Sequence, residues 1–176
     1  MLFGNKQPEI KITDRIYISS AEKQLAIVEN ARNEMDVVIV AWFDDSYSQI
    51  QSLLSSNNLE TEIYLAKQVA AHNALNKTVL FVEHYPLSVK ETELLAWLQL
   101  KETVFYSALD EPLFKYFGGE GLVSMIKKLG LSENEAIEHP MITNAIKNAQ
   151  EKLEKAVPFE HPSQSQAEWF SKNIME

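Results

Sequence analysis

The chain contains no cysteine, so disulfides, thiolate zinc sites, iron–sulfur clusters and cysteine nucleophiles are excluded together. Arginine is almost as scarce: of 16 basic residues only Arg15 and Arg32 are arginines. There are five glycines, and four of them fall within "YFGGEGLVSMIKKLG" (116–130). Long hydrophobic runs are missing too. "VVIVAWF" (37–43) and "TVLFV" (78–82) are strand-length, far short of a membrane span, so no membrane insertion is expected. The opening "MLFGNKQPEI" has no basic stretch followed by an apolar one, so no signal peptide is expected. The expected compartment is the cytoplasm. Positive charge is short as well: the formal net charge is −9, and the densest basic stretch is Lys127-Lys128. A nucleic-acid binder needs a basic face to neutralise phosphates. Nucleic acid and anionic membrane surfaces are therefore not expected partners.

What is present is an ordinary core-forming composition: 176 residues, 45% hydrophobic and 23% charged, enough for one domain with a small appendage. Ser19-Ser20-Ala21-Glu22 has the form of a capping box and opens an amphipathic helix with Leu25, Val28 and Ala31 on one side. Strands are expected at 14–19, 36–43, 62–66, 78–84 and 102–107. Helices are expected between them at 45–57 (Ile50, Leu53, Leu54), 67–75 and 88–100. "DVVIVAWF" (36–43) is apolar on both faces, as a central parallel strand should be. Alternating strands and helices indicate an α/β layered sheet. From about 109 onward the pattern is helical: "LDEPLFKYF", "GLVSMIKKLG", a second capping box at 132–135, and a helix from Pro140 to Val157. Ile142, Ala145, Ile146, Ala149 and Leu153 form its apolar stripe. The expected divisions are 1–110, 111–157 and 158–176, the last a flexible tail in which only Trp169-Phe170 are positioned to dock.

The glycine cluster is the first place to look for phosphate chemistry, because backbone approaches an anion most closely where side chains are absent. No glycine lies between Gly4 and Gly118, so every strand-to-helix turn of the α/β part lacks one. Neither a Walker loop nor G-x-G-x-x-G occurs. Gly118 and Gly119 are placed to end one helix in the left-handed conformation, and Gly130 another. The cluster reads as helix punctuation.

Asp44-Asp45 follow a strand but read as acids at a helix start, aided by its dipole. Glu83-His84 could pose as an acid/base pair, yet strand neighbours point to opposite faces, which leaves a surface role. His72, His84, His139 and His161 show no metal-binding spacing, and no serine lies in G-x-S-x-G. His139-Pro140 reads as a helix start. Trp42 and Trp97 read as core and Trp169 as tail. No metal or cofactor is expected.

"LFKYFGGEGLVSMIKKLGLSENEAIEHPMITNAIKNAQEKLEKAV" (113–157) resembles the end of the second nucleotide-binding domain of SecA, the bacterial preprotein-translocase motor, and the start of its helical scaffold. The carrying motifs are Phe117-Gly118, Met125 to Gly130, Glu135 to His139 and Ala145 to Lys152. Upstream, "DRIYISSAEKQLAIVENA", the strand–helix–strand run ending in Leu65-Ala66-Lys67-Gln68, and "ETVFYSALDEPLFKYF" are similar and collinear. The resemblance implies a RecA-like three-layer α/β domain with a mainly parallel sheet, followed by a C-terminal helical extension.

It also implies a loss. Between Lys67 and Phe105 the family carries an A-G-R-G-T-D loop and a glycine-arginine segment with the arginine fingers. Here "VAAHNALNKTVLFVEHYPLS" and "ETELLAWLQLKETVFYS" contain neither glycine nor arginine. Phosphoryl transfer requires a fixed cation on the transferring group, so no ATP binding or ATPase activity is expected. Leu94, Leu95, Trp97 and Leu98 stand where the family has its arginines, which turns a nucleotide-facing surface into core or a protein interface. The leading expectation is a non-catalytic protein-interaction module, with Trp97, Trp169 and Phe170 as its contact residues. Two others stand beside it. One is half of a split nucleotide switch completed by a partner chain. The other is a small-molecule binder or enzyme using Asp44, Asp45 or Lys67 at the strand carboxyl ends.

Overall fold

The computed structural model describes residues 10–128 and 135–174. Five strands alternate with helices: β1 (Lys11–Tyr17), α1 (Ser20–Asn33), β2 (Val37–Ala41), α2 (Asp44–Ser56), β3 (Glu62–Leu65), α3 (Ala71–Ala74), β4 (Thr78–Phe81), α4 (Ser88–Trp97) and β5 (Glu102–Ala108). Helices follow: α5 (Pro112–Tyr116), α6 (Gly119–Lys128), α7 (Pro140–Ala156) and α8 (Gln166–Asn173). The strand order is β1-β5-β4-β2-β3. Every pairing among these strands is parallel, so the expected α/β sheet is present and is more uniformly parallel than expected. Among the described residues antiparallel pairing is confined to a bridge between Ile16 and Ile137 beside β1.

Side-chain alternation assigns the layers. Val37, Ile39 and Ala41 pack with Ile27 and Ala31 of α1 and with Ile50 and Leu54 of α2. Val38 and Val40 pack with Ala74 of α3 and with Leu95 and Leu98 on the opposite side. A third cluster joins Ile16, Phe43, Leu87 and Leu113 to Ile142, Ile146 and Leu153 of α7 and to Trp169 of α8. The result is three layers with helices gathered at one end.

Local chemistry explains the boundaries. Ser19 Oγ accepts a hydrogen bond from the Glu22 amide at 3.3 Å, capping α1. Gly118, at φ +82°, ends α5 in the left-handed region, whereas Gly119 already begins α6. Gly130 and most of the second capping box lie outside the described residues.

Four expectations need correction. Leu25 is exposed, because the buried face of α1 runs through Lys23, Ile27 and Ala31. Ala145 is exposed and Gln150 takes a buried place on α7, where its amide donates to the Tyr85 carbonyl at 2.7 Å. Trp97 is not core: it is 68% exposed, since the inward face of α4 is set by Glu91 and Leu95, with Leu98 following. The segment after Pro158 is not a loose tail in the described residues. It carries α8, and Trp169 is 0% exposed.

Candidate functional site

In a doubly wound sheet, ligands bind where neighbouring strands send their following connections to opposite faces. Here β2 leads into α2 on one face, and its neighbour β4 leads into α4 on the other. The crevice between them is bordered by Trp42 and Phe43 after β2 and by Glu83, His84 and Tyr85 after β4.

Glu83 and His84 do point apart, but both are buried, which overturns the expected surface role. Glu83 accepts hydrogen bonds from the Trp42 amide at 3.2 Å and from Ser46 Oγ at 2.7 Å. Burial pushes its carboxyl up to about 7, against the opposing pull of Lys23. The Lys23 ammonium donates to the Val82 carbonyl at 2.6 Å and pairs with Glu111. Burial also raises the Glu111 carboxyl, again opposed by Lys23.

His84 lies on the other face. Its Nδ1 is 2.9 Å from Glu91 Oε1 and its Nε2 is 2.9 Å from Asp14 Oδ1. The ring stacks on Phe105 with centroids 4.3 Å apart. Burial alone would discharge it, but the two carboxylates hold its pKa up at about 10. Asp14 is itself kept below its usual range: burial works upward, and His84 outweighs it. An imidazolium held between two carboxylates is a structural ion triad; neither ring nitrogen is left for a substrate.

Helix amino termini at this edge are the natural anion-binding points, and the protein's own acceptors occupy them. Asp110 accepts from the Ser20 amide (2.9 and 3.0 Å) and from Ser20 Oγ (2.7 Å) at the start of α1. The Asp45 amide of α2 donates to the Gln164 carbonyl at 3.0 Å. Glu154 accepts from Ser88 Oγ (2.5 Å) and the Val89 amide (2.9 Å) at the start of α4.

Residues 160–173 close the crevice. Gln166 accepts from the Leu113 amide at 2.8 Å and donates to the His84 carbonyl at 3.0 Å. The Trp169 indole donates to Glu160 at 2.7 Å, and the Tyr85 hydroxyl donates to the same carboxylate. Phe170 packs against the same cluster and lies 5.2 Å, ring to ring, from Tyr116. Trp169 and Phe170 are therefore joined in an internal seal.

Among the described residues this edge carries two well-formed spaces. One is an open groove of about 410 Å3 bordered by Trp42, Lys67, Tyr85, Lys90, Leu94 and Trp97. The other is a polar cavity of about 240 Å3 beside Lys23, Asp45, Ser46, Gln49, Glu83 and Glu111. Asp44 pairs with Lys67 at 3.1 Å in solvent and Asp45 borders the polar cavity, so the adjacent acids do not converge on one site. Among the described residues no group of three or more His, Cys, Asp or Glu side chains is arranged to hold a metal. Lys23 was missed from the sequence, although its place four residues before Ile27 on the buried stripe was a visible signal. Glu111 carried no local signal.

No family model matches the chain. A 52-residue stretch is 52% identical to Protein translocase subunit SecA of Acidithiobacillus ferrooxidans (strain ATCC 53993 / BNL-5-31), covering 30% of this chain and 6% of that one. Over 50 residues it is 52% identical to the SecA of Buchnera aphidicola subsp. Schizaphis graminum and 50% identical to that of Alkaliphilus oremlandii. In both cases 28% of this chain and 6% of the relative are covered. The chain is therefore SecA-related over this stretch, while the match spans only about 6% of the relatives' length.

Proposed function

We propose that this SecA-related chain is a non-catalytic module that has given up nucleotide handling and engages a protein partner through the groove beside Trp97. The observation that carries this reading is the occupancy of the crevice by the chain itself. Asp110, the Gln164 carbonyl and Glu154 already fill the helix amino termini that a phosphate would need. Carboxylates there repel a triphosphate, and no arginine follows residue 32 to offset them.

The groove supports the protein contact. Trp42, Tyr85 and Trp97, with the aliphatic Leu94, give it an apolar, largely aromatic centre, and Lys67, Lys90 and Glu93 give it a rim of both signs. Buried aromatic anchors ringed by polar groups are where binding energy concentrates. The rim suits a partner segment that presents one large apolar side chain flanked by charges of both signs. Because the relatives are protein translocase subunits, the partner belongs among components of that machinery. Among the described residues no helix is long and apolar enough to cross a membrane, and we assign the module to the cytoplasm.

Calorimetry with ATP and magnesium should show no heat of binding and no turnover; micromolar binding would overturn the non-catalytic reading. Separately, Trp97→Ala should leave stability within about 0.5 kcal/mol, since the side chain is exposed. The same substitution should weaken binding to purified translocase components by about tenfold or more. Unchanged binding would remove the groove from consideration.

A further inference from the structure

We propose that α8 is an exchangeable arm, and that two copies of this chain trade these arms reciprocally to form a dimer. The arm has the pattern of a helix lying in a groove: Gln166, Trp169, Phe170 and Ile174 fall at i, i+3, i+4 and i+8, on one face. Trp169 is 0% exposed, and Phe170 and Ile174 pack beside it on the cluster that holds Phe43, Leu87 and Leu113. The arm's shape is largely its own. Ser165 Oγ caps the helix by accepting from the Glu168 amide, and the Trp169 indole donates to Glu160. The His161 amide donates to Asn173 Oδ1 at 2.6 Å, and Asn173 Nδ2 donates back to the His161 carbonyl at 3.0 Å. An arm that carries its own hydrogen bonds can leave and dock again as a unit.

The tether favours exchange. Buried Val157 and buried Gln166 are joined by residues 158–165, of which Pro158, Phe159, His161, Pro162 and Gln164 are exposed. Extended, this stretch reaches about 26–29 Å, the width of a small domain. Pro158 and Pro162 bias it toward extension and against a sharp return. The groove of a second copy offers α8 the same contacts as its own, so the fit of that occupant is given. What the dimer adds lies in the hinge. Phe159 is 86% exposed. Reciprocal exchange runs two tethers past a twofold axis, where identical residues meet, and the two Phe159 rings cover each other. Opposing this, the tether holds the arm near its own groove at an effective concentration on the order of millimolar. Exchange therefore emerges near that concentration and is absent from dilute solution.

The test uses the full chain in two batches, one unlabelled and one carrying 13C-labelled leucine methyl groups in a deuterated background. They are mixed at about 1 mM, warmed to the foot of the unfolding transition and cooled. Light scattering should report a dimer. Isotope-filtered NOEs should connect the methyl groups of Leu87 and Leu113 in the labelled copy to the Trp169 ring of the unlabelled one. Phe159→Ser changes an exposed residue, so the denaturant midpoint in dilute solution should not move, while the dimer dissociation constant should rise about tenfold. The proposal fails if the chain stays monomeric after this treatment, or if the dimer shows no NOE between copies at these positions. An unchanged dissociation constant in Phe159→Ser would overturn the hinge contact.

Discussion

Replacing His84 with leucine is expected to lower stability by about 3–5 kcal/mol, seen as a fall in the denaturant midpoint. The imidazolium sits 2.9 Å from both Glu91 and Asp14, all three buried. Removing the cation alone strands two carboxylates in low dielectric. The triple variant Asp14→Leu/His84→Leu/Glu91→Leu should recover most of the loss, because apolar groups of similar size replace an ion cluster at little cost. A large loss in the triple variant would mean that packing, not charge, is what His84 supplies.

The same triad sets an alkaline signature. The pKa of His84 is raised from 6.5 to about 10 in the fold, so the folded chain holds a proton that the unfolded chain releases. The stability this confers is complete below 6.5 and is lost as pH rises through about 10. Wild-type stability should therefore decline across that window, and His84→Leu should lack the decline above about pH 8, where Glu83 has finished titrating. Glu83 acts lower: raised from 4.5 to about 7, its contribution is full below 4.5 and fades as pH passes 7, in both proteins.

Trp169→Ala should cost a comparable amount, about 3–5 kcal/mol. The indole is 0% exposed among Phe43, Leu87 and Leu113, and its Nε1 donates to Glu160 at 2.7 Å. The loss should be local in its consequences. Residues 160–173 are tied to one another: the Asn173 amide donates to the His161 carbonyl at 3.0 Å, Lys172 to the Pro162 carbonyl at 3.2 Å, and the Gln164 amide to Glu168 at 2.6 Å. Hydrogen exchange should accelerate across that whole segment in the variant, while β2 and β4 stay protected. Trp169→Phe, which keeps most of the apolar area and loses the indole hydrogen bond, should cost about 1 kcal/mol. Uniform exchange across the sheet in Trp169→Ala would show that the segment is no separable seal.

The sheet was readable because its signals are local. β2 is apolar on every residue and β4 on all but its first, so "VVIVA" and "TVLF" could hardly be anything else. Helix α8 escaped notice because Pro158, Pro162 and three serines around it resemble a loop. Yet Ser165 and Glu168 form an S-x-x-E pair, and Ser165 Oγ does accept from the Glu168 amide at 3.1 Å. Trp97 was misread by residue type, since bulk and apolarity suggest core. The inward spacing through Glu91 and Leu95 leaves it facing water. The ion clusters were not legible at all. His84 meets an aspartate 70 residues earlier, and Lys23 a glutamate 88 residues later, and pairings that long depend on the strand order.

That order also fixes when the molecule can be completed. Among the described residues β1 has no neighbouring strand in the sheet except β5, and Tyr106 lies 91 residues beyond Arg15. On a ribosome adding roughly 5–20 residues per second, the first strand waits about 5–18 s for its partner to be synthesised. Throughout that interval "RIYI" is an unmatched ribbon with Ile16 and Tyr17 uncovered, the kind of segment to which holding chaperones bind. Nascent chains arrested before residue 102 should therefore retain such a chaperone, and chains extended past the end of β5 should release it.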